Sequence, residues 1–231
     1  AARDADVIFH AAAQTAVTTS VTDPRPDFEV NILGTFNVLE AARKSGRNPS
    51  IIFCSTNKVF GDNVNKIGVV EKPDHYEFEQ RYKAGVPESF SIDNCEHTPY
   101  GVSKLTGDLY AQDYAHVYGL KTGVFRMSCI YGTRQLGVED QGWVAWFVIA
   151  TLLGKPLTIY GDGKQVRDVL YVTDLVELYD KFLKSSLKHG VFNTGGGPKN
   201  TLSLLQLLGL LEKLTGKRSK ISYSDWRPSD Q

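Results

Sequence analysis

A chain of 231 residues, 42% hydrophobic and 23% charged, can bury a core for one large domain or one and a half ordinary ones. Lysine plus arginine equals aspartate plus glutamate at 26 each, which excludes a nucleic-acid binder working through a basic face. No window approaches the ~18 consecutive apolar residues of a membrane span, and the three scattered cysteines (Cys54, Cys95, Cys129) have no metal-type spacing and fit buried thiols in a reducing, cytoplasmic compartment.

Ala1 to Asp6 shows neither an initiator methionine nor a signal pattern, and the chain stops abruptly at Gln231. Both ends look like cuts through a longer protein. Val7-Ile8-Phe9-His10, followed by Ala11-Ala12-Ala13, reads as a buried strand running into a tight loop. A helix is expected from about Phe28 to Ser45, with Val30, Leu33, Gly34, Val38 and Ala41 on one side and Gly46 as its left-handed terminator. Ile51-Ile52-Phe53-Cys54 is a second strand, delivering Ser55-Thr56 to its carboxyl end. Residues 62–97 lack periodicity and read as a long surface excursion.

Thr98-Pro99 opens a helix, threonine as cap and proline at the first helical position; it runs to about Tyr118 and stops at Gly119. Thr122-Gly123-Val124-Phe125-Arg126 is a third strand. This alternation with near-continuous apolar strands indicates an α/β fold, a doubly wound parallel sheet covered on both faces. Beyond Tyr131 the alternation breaks down. Gly142 to Leu153 looks helical, Leu157 to Tyr160 extended, Val172 to Leu187 helical, Gly190 to Thr194 a strand and Leu202 to Thr215 an amphipathic helix.

The sharpest chemical feature is Tyr100-Gly101-Val102-Ser103-Lys104. Positions i and i+4 share a helix face, so a phenol and an ammonium aim at one point. A tyrosine with its ordinary pKa of about 10 is a poor base at neutral pH, and a nearby cation favours its phenolate. By itself the spacing also suits a plain solvated helix pair. Thr56 adds a hydroxyl at the carboxyl end of a parallel strand, where open α/β sheets place ligand contacts. The five histidines are scattered and suggest core or surface roles, with no metal site.

The order His10-Ala11-Ala12, Asn31-Ile32-Leu33-Gly34-Thr35, the Ser-Thr strand, then Tyr100 to Lys104, resembles the extended short-chain dehydrogenase/reductase family. Phe125-Arg126, Ile130-Tyr131-Gly132, Gly161-Asp162-Gly163 through Leu170 with Asp174, Asn193 to Gly196 and Arg227-Pro228-Ser229-Asp230 resemble its later blocks. Residues 55–62, 140–144 and 163–168 are most similar to a branch of that family acting on carbon 2 of CDP-linked sugars.

The resemblance implies a Rossmann-like dinucleotide-binding domain over 1–133, lacking its first βαβ units, and a smaller α/β substrate-binding domain over 134–231. Part of 166–195 returns to the sheet. It implies NAD as cofactor, a nucleotide-diphosphate sugar as substrate, epimerisation through transient oxidation to a keto sugar, and a homodimer or homotetramer. Thr56, Tyr100 and Lys104 would be catalytic. Ala11, Ala12, Gln14, Asn31, Ser55, Ser128 and Cys129, with Tyr100 and Lys104, would line the cofactor; Asn57, Gln141, Arg167 and Arg227 would hold the substrate, a guanidinium suiting its diphosphate.

The glycine-rich pyrophosphate turn and the residue reading the adenosine ribose are not in the sequence, so NAD and NADP are not distinguished and both features are expected upstream of Ala1, within about two further βαβ-type units of ~30 residues or more. Where dehydratases of the family carry an acidic pair after the threonine, this chain has Asn57 and Lys58. Asparagine cannot protonate a leaving hydroxyl, which disfavours dehydration and favours reversible oxidation. A 4-epimerase of UDP-hexoses and a catalytically silent cofactor-binding relative remain open alternatives.

Overall fold

The computed structural model describes residues 4–227. In chain order the elements are β1 (Val7–His10), α1 (Val17–Thr22), a π-helical stretch (Asp27–Leu33) running into α2 (Gly34–Lys44), β2 (Ser50–Thr56), a 3-10 segment (Asn57–Lys66), the hairpin β3 (Val69–Glu71) and β4 (Tyr76–Phe78), and α3 (Thr98–Tyr118). There follow β5 (Thr122–Met127), β6 (Cys129–Tyr131), α4 (Trp143–Leu153), β7 (Pro156–Tyr160), β8 (Val166–Tyr171), α5 (Val172–Lys184), β9 (His189–Thr194), β10 (Thr201–Ser203), α6 (Leu204–Thr215) and β11 (Lys220–Ser224). No helix among the described residues is long and apolar enough to cross a membrane.

Two compact units share the chain. The first comprises Ala1–Gly61, Pro87–Met127 and Asp174–Thr194; the second comprises Asp62–Val86, Ser128–Thr173 and Gly195–Gln231. The segment 62–86, read from the sequence as a featureless excursion, thus belongs to the second unit and holds a hairpin there, whose strands are only three residues each. Strands that short leave no period to detect.

In the first unit the sheet order is β1-β2-β5-β9, parallel throughout. Ile51, Ile52, Phe53, Val124 and Phe125 are almost wholly buried in its centre, which accounts for apolar runs without alternation. Helix α3 lies close on β2. A Cβ at Gly107 would come within 2.7 Å of the Phe53 ring, so a glycine is needed for this approach. Gly119, at φ +70°, ends α3 in the left-handed conformation.

The helix expected over 28–45 forms, but its buried side differs from the expectation. Asp27, Asn31, Thr35, Leu39 and Ala42 are buried, while Phe28, Val30, Leu33 and Phe36 are exposed. Hydrophobicity alone picks the wrong stripe because the inward stripe carries hydrogen-bonding groups at i, i+4 and i+8.

The second unit contains the mixed sheet β10-β8-β6 and the parallel pair β11-β7. Phe147, Ala150, Leu157, Leu207 and Leu211 form its core between α4, α6 and β7. Ser203 caps α6 by accepting the Gln206 amide while Gln206 accepts the Ser203 amide, a reciprocal capping box. The thiols of Cys54, Cys95 and Cys129 are free and half-buried, less enclosed than expected.

Candidate active site

Thr56 is the last residue of β2, and Tyr100 and Lys104 sit in the first two turns of α3. Thr98 opens that helix at φ +61°, a costly conformation for a β-branched residue, and its hydroxyl accepts the Gly101 amide at 3.2 Å. The Tyr100 amide donates to Ser20 Oγ at 3.2 Å, fixing the start of α3 against α1. All three expected catalytic side chains are buried in the first unit, and the Thr56 hydroxyl, which donates to Asn57 Oδ1 at 3.3 Å, is near enough to act on the Tyr100 phenol.

The electrostatics depart from the sequence reading. Burial pushes the Tyr100 phenol above its ordinary value; the Thr56 hydrogen bond opposes this, and the charge of Asp27 adds to it. Desolvation outweighs any relief from Lys104, whose own pKa is driven down to about 8, by burial first, with Cys54 and Asp108 pulling it back up. The Lys104 ammonium lies 4.7 Å from the centroid of the Phe53 ring, a cation–π contact.

A polar brace surrounds the pair. Asn31 Nδ2 donates to Ser103 Oγ at 2.9 Å and to the Gln14 carbonyl at 3.0 Å, and Asn31 Oδ1 accepts the Gln14 amide at 2.8 Å. Ser103 Oγ in turn donates to the Tyr100 carbonyl at 2.8 Å. Gln14 Nε2 donates to Asp27 Oδ2 at 3.1 Å and to the Ala16 carbonyl at 3.1 Å.

The Thr35 hydroxyl has one proton, given to the Asn31 carbonyl at 2.6 Å, so His10 Nε2 must carry hydrogen and donate to Thr35 Oγ1 at 2.8 Å. Burial, then the Lys104 charge, lowers His10 to about 4 and keeps it neutral. His10 therefore holds the end of β1 in place.

This geometry of hydroxyl, phenol and ammonium at the carboxyl ends of parallel strands coincides with a match over residues 1–195 to the NAD dependent epimerase/dehydratase family. The chain belongs to that family. It is 44% identical to the CDP-paratose 2-epimerase of Salmonella typhi, over 98% of this chain and 68% of that protein. Among solved structures it is similar to a UDP-glucose 4-epimerase of Thermotoga maritima with UDP-glucose (32% identity, TM-score 0.77, 97% of this chain and 66% of that one). It is equally similar to the Thermus thermophilus UDP-glucose 4-epimerase in complex with NAD (32% identity, TM-score 0.78, 98% and 67%). The chain spans about two thirds of the length of these relatives.

Against this family background the remaining sequence-picked residues divide in two. In the first unit, Ala11 and Ala12 are exposed in the loop after β1, and Asn57 Oδ1 accepts from Thr56 Oγ1 at 3.3 Å. The polar groups of Gln14 and Asn31 serve the brace, and Ser55 donates its hydroxyl proton to Asp108 Oδ2 at 2.8 Å. Ser128, Cys129, Gln141, Arg167 and Arg227 belong to the second unit. There Ser128 Oγ donates to the Asp168 carbonyl at 2.7 Å, and Cys129 begins β6, paired with Val169. Gln141 exchanges backbone hydrogen bonds with Val138, and Arg167 Nη1 donates to the Val166 carbonyl at 2.9 Å.

Arg227 is held 4.0 Å over the Tyr160 ring, pairs with Asp140 at 3.2 Å and donates to the Glu139 carbonyl at 3.2 Å. The rest of its motif, Pro228, Ser229 and Asp230, lies outside the described residues.

Sequence reasoning missed Asp27, Ser103 and Asp108, the partner of Arg126. Asp108 was findable, since it extends the Tyr100–Lys104 stripe by four residues. Nothing in the pattern points to Asp27, an acid in a segment otherwise read by its apolar residues.

Proposed function

We propose that this chain is the main part of a nucleotide-sugar epimerase that inverts carbon 2 of a CDP-linked deoxyhexose, converting CDP-paratose to CDP-tyvelose. The observation that carries the reading is the buried Thr56–Tyr100–Lys104 group at the sheet's carboxyl edge. The substrate is supported by the 44% identity to a CDP-paratose 2-epimerase, together with the resemblance of residues 55–62, 140–144 and 163–168 to that enzyme.

The donor set fits a nicotinamide cofactor: Lys104 presents a buried ammonium with no carboxylate in contact among the described residues, suited to a ribose diol. When bound, NAD supplies the acceptor, and later the donor, of a hydride. The Tyr100 oxygen, which must first be ionised against the burial that raises its pKa, takes the proton of the sugar hydroxyl as the carbonyl forms and returns it when the opposite face is reduced. Thr56, by turning its hydroxyl proton to the phenol oxygen, favours the form that accepts a proton. Lys104 opposes the charge developing on that oxygen and holds the nicotinamide ribose. Ala11 and Ala12, and separately Ser128 and Cys129 of the second unit, are cofactor contacts on the resemblance alone, while Gln14, Asn31 and Ser55 act through the walls they brace. Asn57, Gln141, Arg167 and Arg227 are substrate contacts on the resemblance alone.

A second reading is supported by the 32% identity to UDP-glucose 4-epimerases: inversion at carbon 4 of a UDP-hexose. Incubating the full-length protein with CDP-paratose and, separately, UDP-glucose, and following the anomeric protons by NMR, separates the two. Accumulation of CDP-tyvelose alone is expected. UDP-galactose from UDP-glucose with no change in CDP-paratose would replace the first reading by the second.

A further inference from the structure

Tyr100, Lys104, Asp108 and Gln112 follow one another at four-residue spacing along one stripe of α3. Asp108 is fully buried, and its carboxylate takes four hydrogen bonds. Oδ2 accepts from Ser55 Oγ at 2.8 Å and Arg126 Nε at 2.9 Å; Oδ1 accepts from Gln112 Nε2 at 2.6 Å and Arg126 Nη2 at 3.2 Å. Arg126, at the carboxyl end of β5 and 6% exposed, is anchored in turn. Its Nη1 donates to the Glu88 carbonyl at 3.1 Å, its guanidinium lies 5.3 Å from the Phe60 ring centroid, and the Glu88 carboxylate accepts the Asn193 amide at 2.8 Å.

A lysine four residues before an aspartate shares its helix face and can pair with it, though in the less favourable order. Here it does not: the ammonium rests on Phe53 instead. A carboxylate has about four lone-pair positions, and all four at Asp108 are filled. Its field still reaches Lys104. The groups facing that ammonium are Asp108 on its own helix, Cys54 from β2 and His10 from β1.

We propose that Asp108 is a positioning residue for Lys104 and that Arg126 keeps it in that role, saturating the carboxylate so that it steadies the ammonium without capturing it. The inference rests on the reading of Lys104 given above. Two opposite consequences follow. With Asp108→Asn, Lys104 loses its supporting charge and its titration midpoint falls. With Arg126→Gln, the freed carboxylate pairs with Lys104, its midpoint rises, and its hold on a cofactor ribose weakens.

The test is carbon-13 NMR titration of lysine-labelled full-length protein, with the Lys104 signal assigned by its loss in Lys104→Met, alongside NAD titration calorimetry. A fall of at least ~0.5 unit for D108N and a comparable rise for R126Q, with weaker NAD binding in the latter, is expected. Midpoints that stay put, or move in the same direction, overturn the proposal. If either single variant fails to fold because it strands a buried charge, the double variant D108N/R126Q removes both charges and must lower the midpoint as D108N would. Wild-type turnover in Lys104→Met would instead sink the reading of Lys104 itself.

Discussion

The Asn31 side chain donates to Ser103 Oγ at 2.9 Å across 72 residues of sequence, and Ser103 passes the hydrogen bond to the carbonyl of Tyr100. A residue expected to touch the cofactor thus braces the reactive helix first. Both Asn31 Nδ2 hydrogens and its Oδ1 are engaged inside the protein.

Asn31→Ala should therefore act on stability as well as activity. It leaves the half-buried Gln14 amide and carbonyl without their partner, and Ser103 without its donor. A loss of about 1–3 kcal/mol is expected for stranding such groups. Urea unfolding of the full-length protein measures it; a change below ~0.5 kcal/mol, the range of surface substitutions, would show that the brace is dispensable.

Tyr100→Phe removes only the phenolic oxygen and keeps the ring packed. Turnover should fall by about 100-fold or more, the usual contribution of a general acid–base group, while NAD and nucleotide-sugar binding stay largely intact. Steady-state kinetics with calorimetric binding decides it, and a variant retaining more than about a tenth of wild-type turnover would remove Tyr100 from the mechanism.

The parallel strands and α3 were legible because their signals are local: unbroken apolar runs, a proline at a helix start, a glycine at its end. Tyr100, Lys104 and Thr56 were legible from one spacing and one strand end. Asp108 continues the same stripe, but the contacts that the supporting charges make were not legible. Asp108 meets Arg126 from a different element, and Asp27 reaches Gln14 through a loop, so neither contact leaves a period in the sequence. The sign of the Tyr100 shift was missed for a related reason: desolvation depends on how deeply the phenol is buried, which spacing does not encode.

The exposed apolar residues suggest where copies of the chain meet. Leu33 and Phe36 near the start of α2, and Val102, Leu109, Tyr110 and Val117 on α3, all face outward, with Phe36 and Tyr110 in edge contact at 5.9 Å. The proposed homodimer or homotetramer would bury them. Leu109→Glu should shift the full-length protein to monomers in light scattering at micromolar concentration. A wild-type protein already monomeric there would end the proposal.

Lys104 should cost the fold stability in return for its chemistry. Burial depresses its pKa from the ordinary 10.5 to about 8, so below pH 8 folding must keep a charge that the interior disfavours. The unfolded lysine stays protonated up to about 10.4, and between the two values it binds more protons than the folded one, so stability rises with pH across that window. Replacing Lys104 by methionine removes the penalty and retains an apolar stem against Phe53. At pH 7 the variant should be more stable than wild type, by roughly 3 kcal/mol at the linkage rate of about 1.36 kcal/mol per pKa unit. The gain should shrink steadily from pH 8 towards pH 10 while turnover is lost throughout. Chemical denaturation of both full-length proteins at pH 7, 8.5 and 10 reads this directly. Equal stabilities at pH 7, or a gain that does not change with pH, would mean that Lys104 is neutralised in the fold by a partner and is not the free ammonium that the mechanism uses.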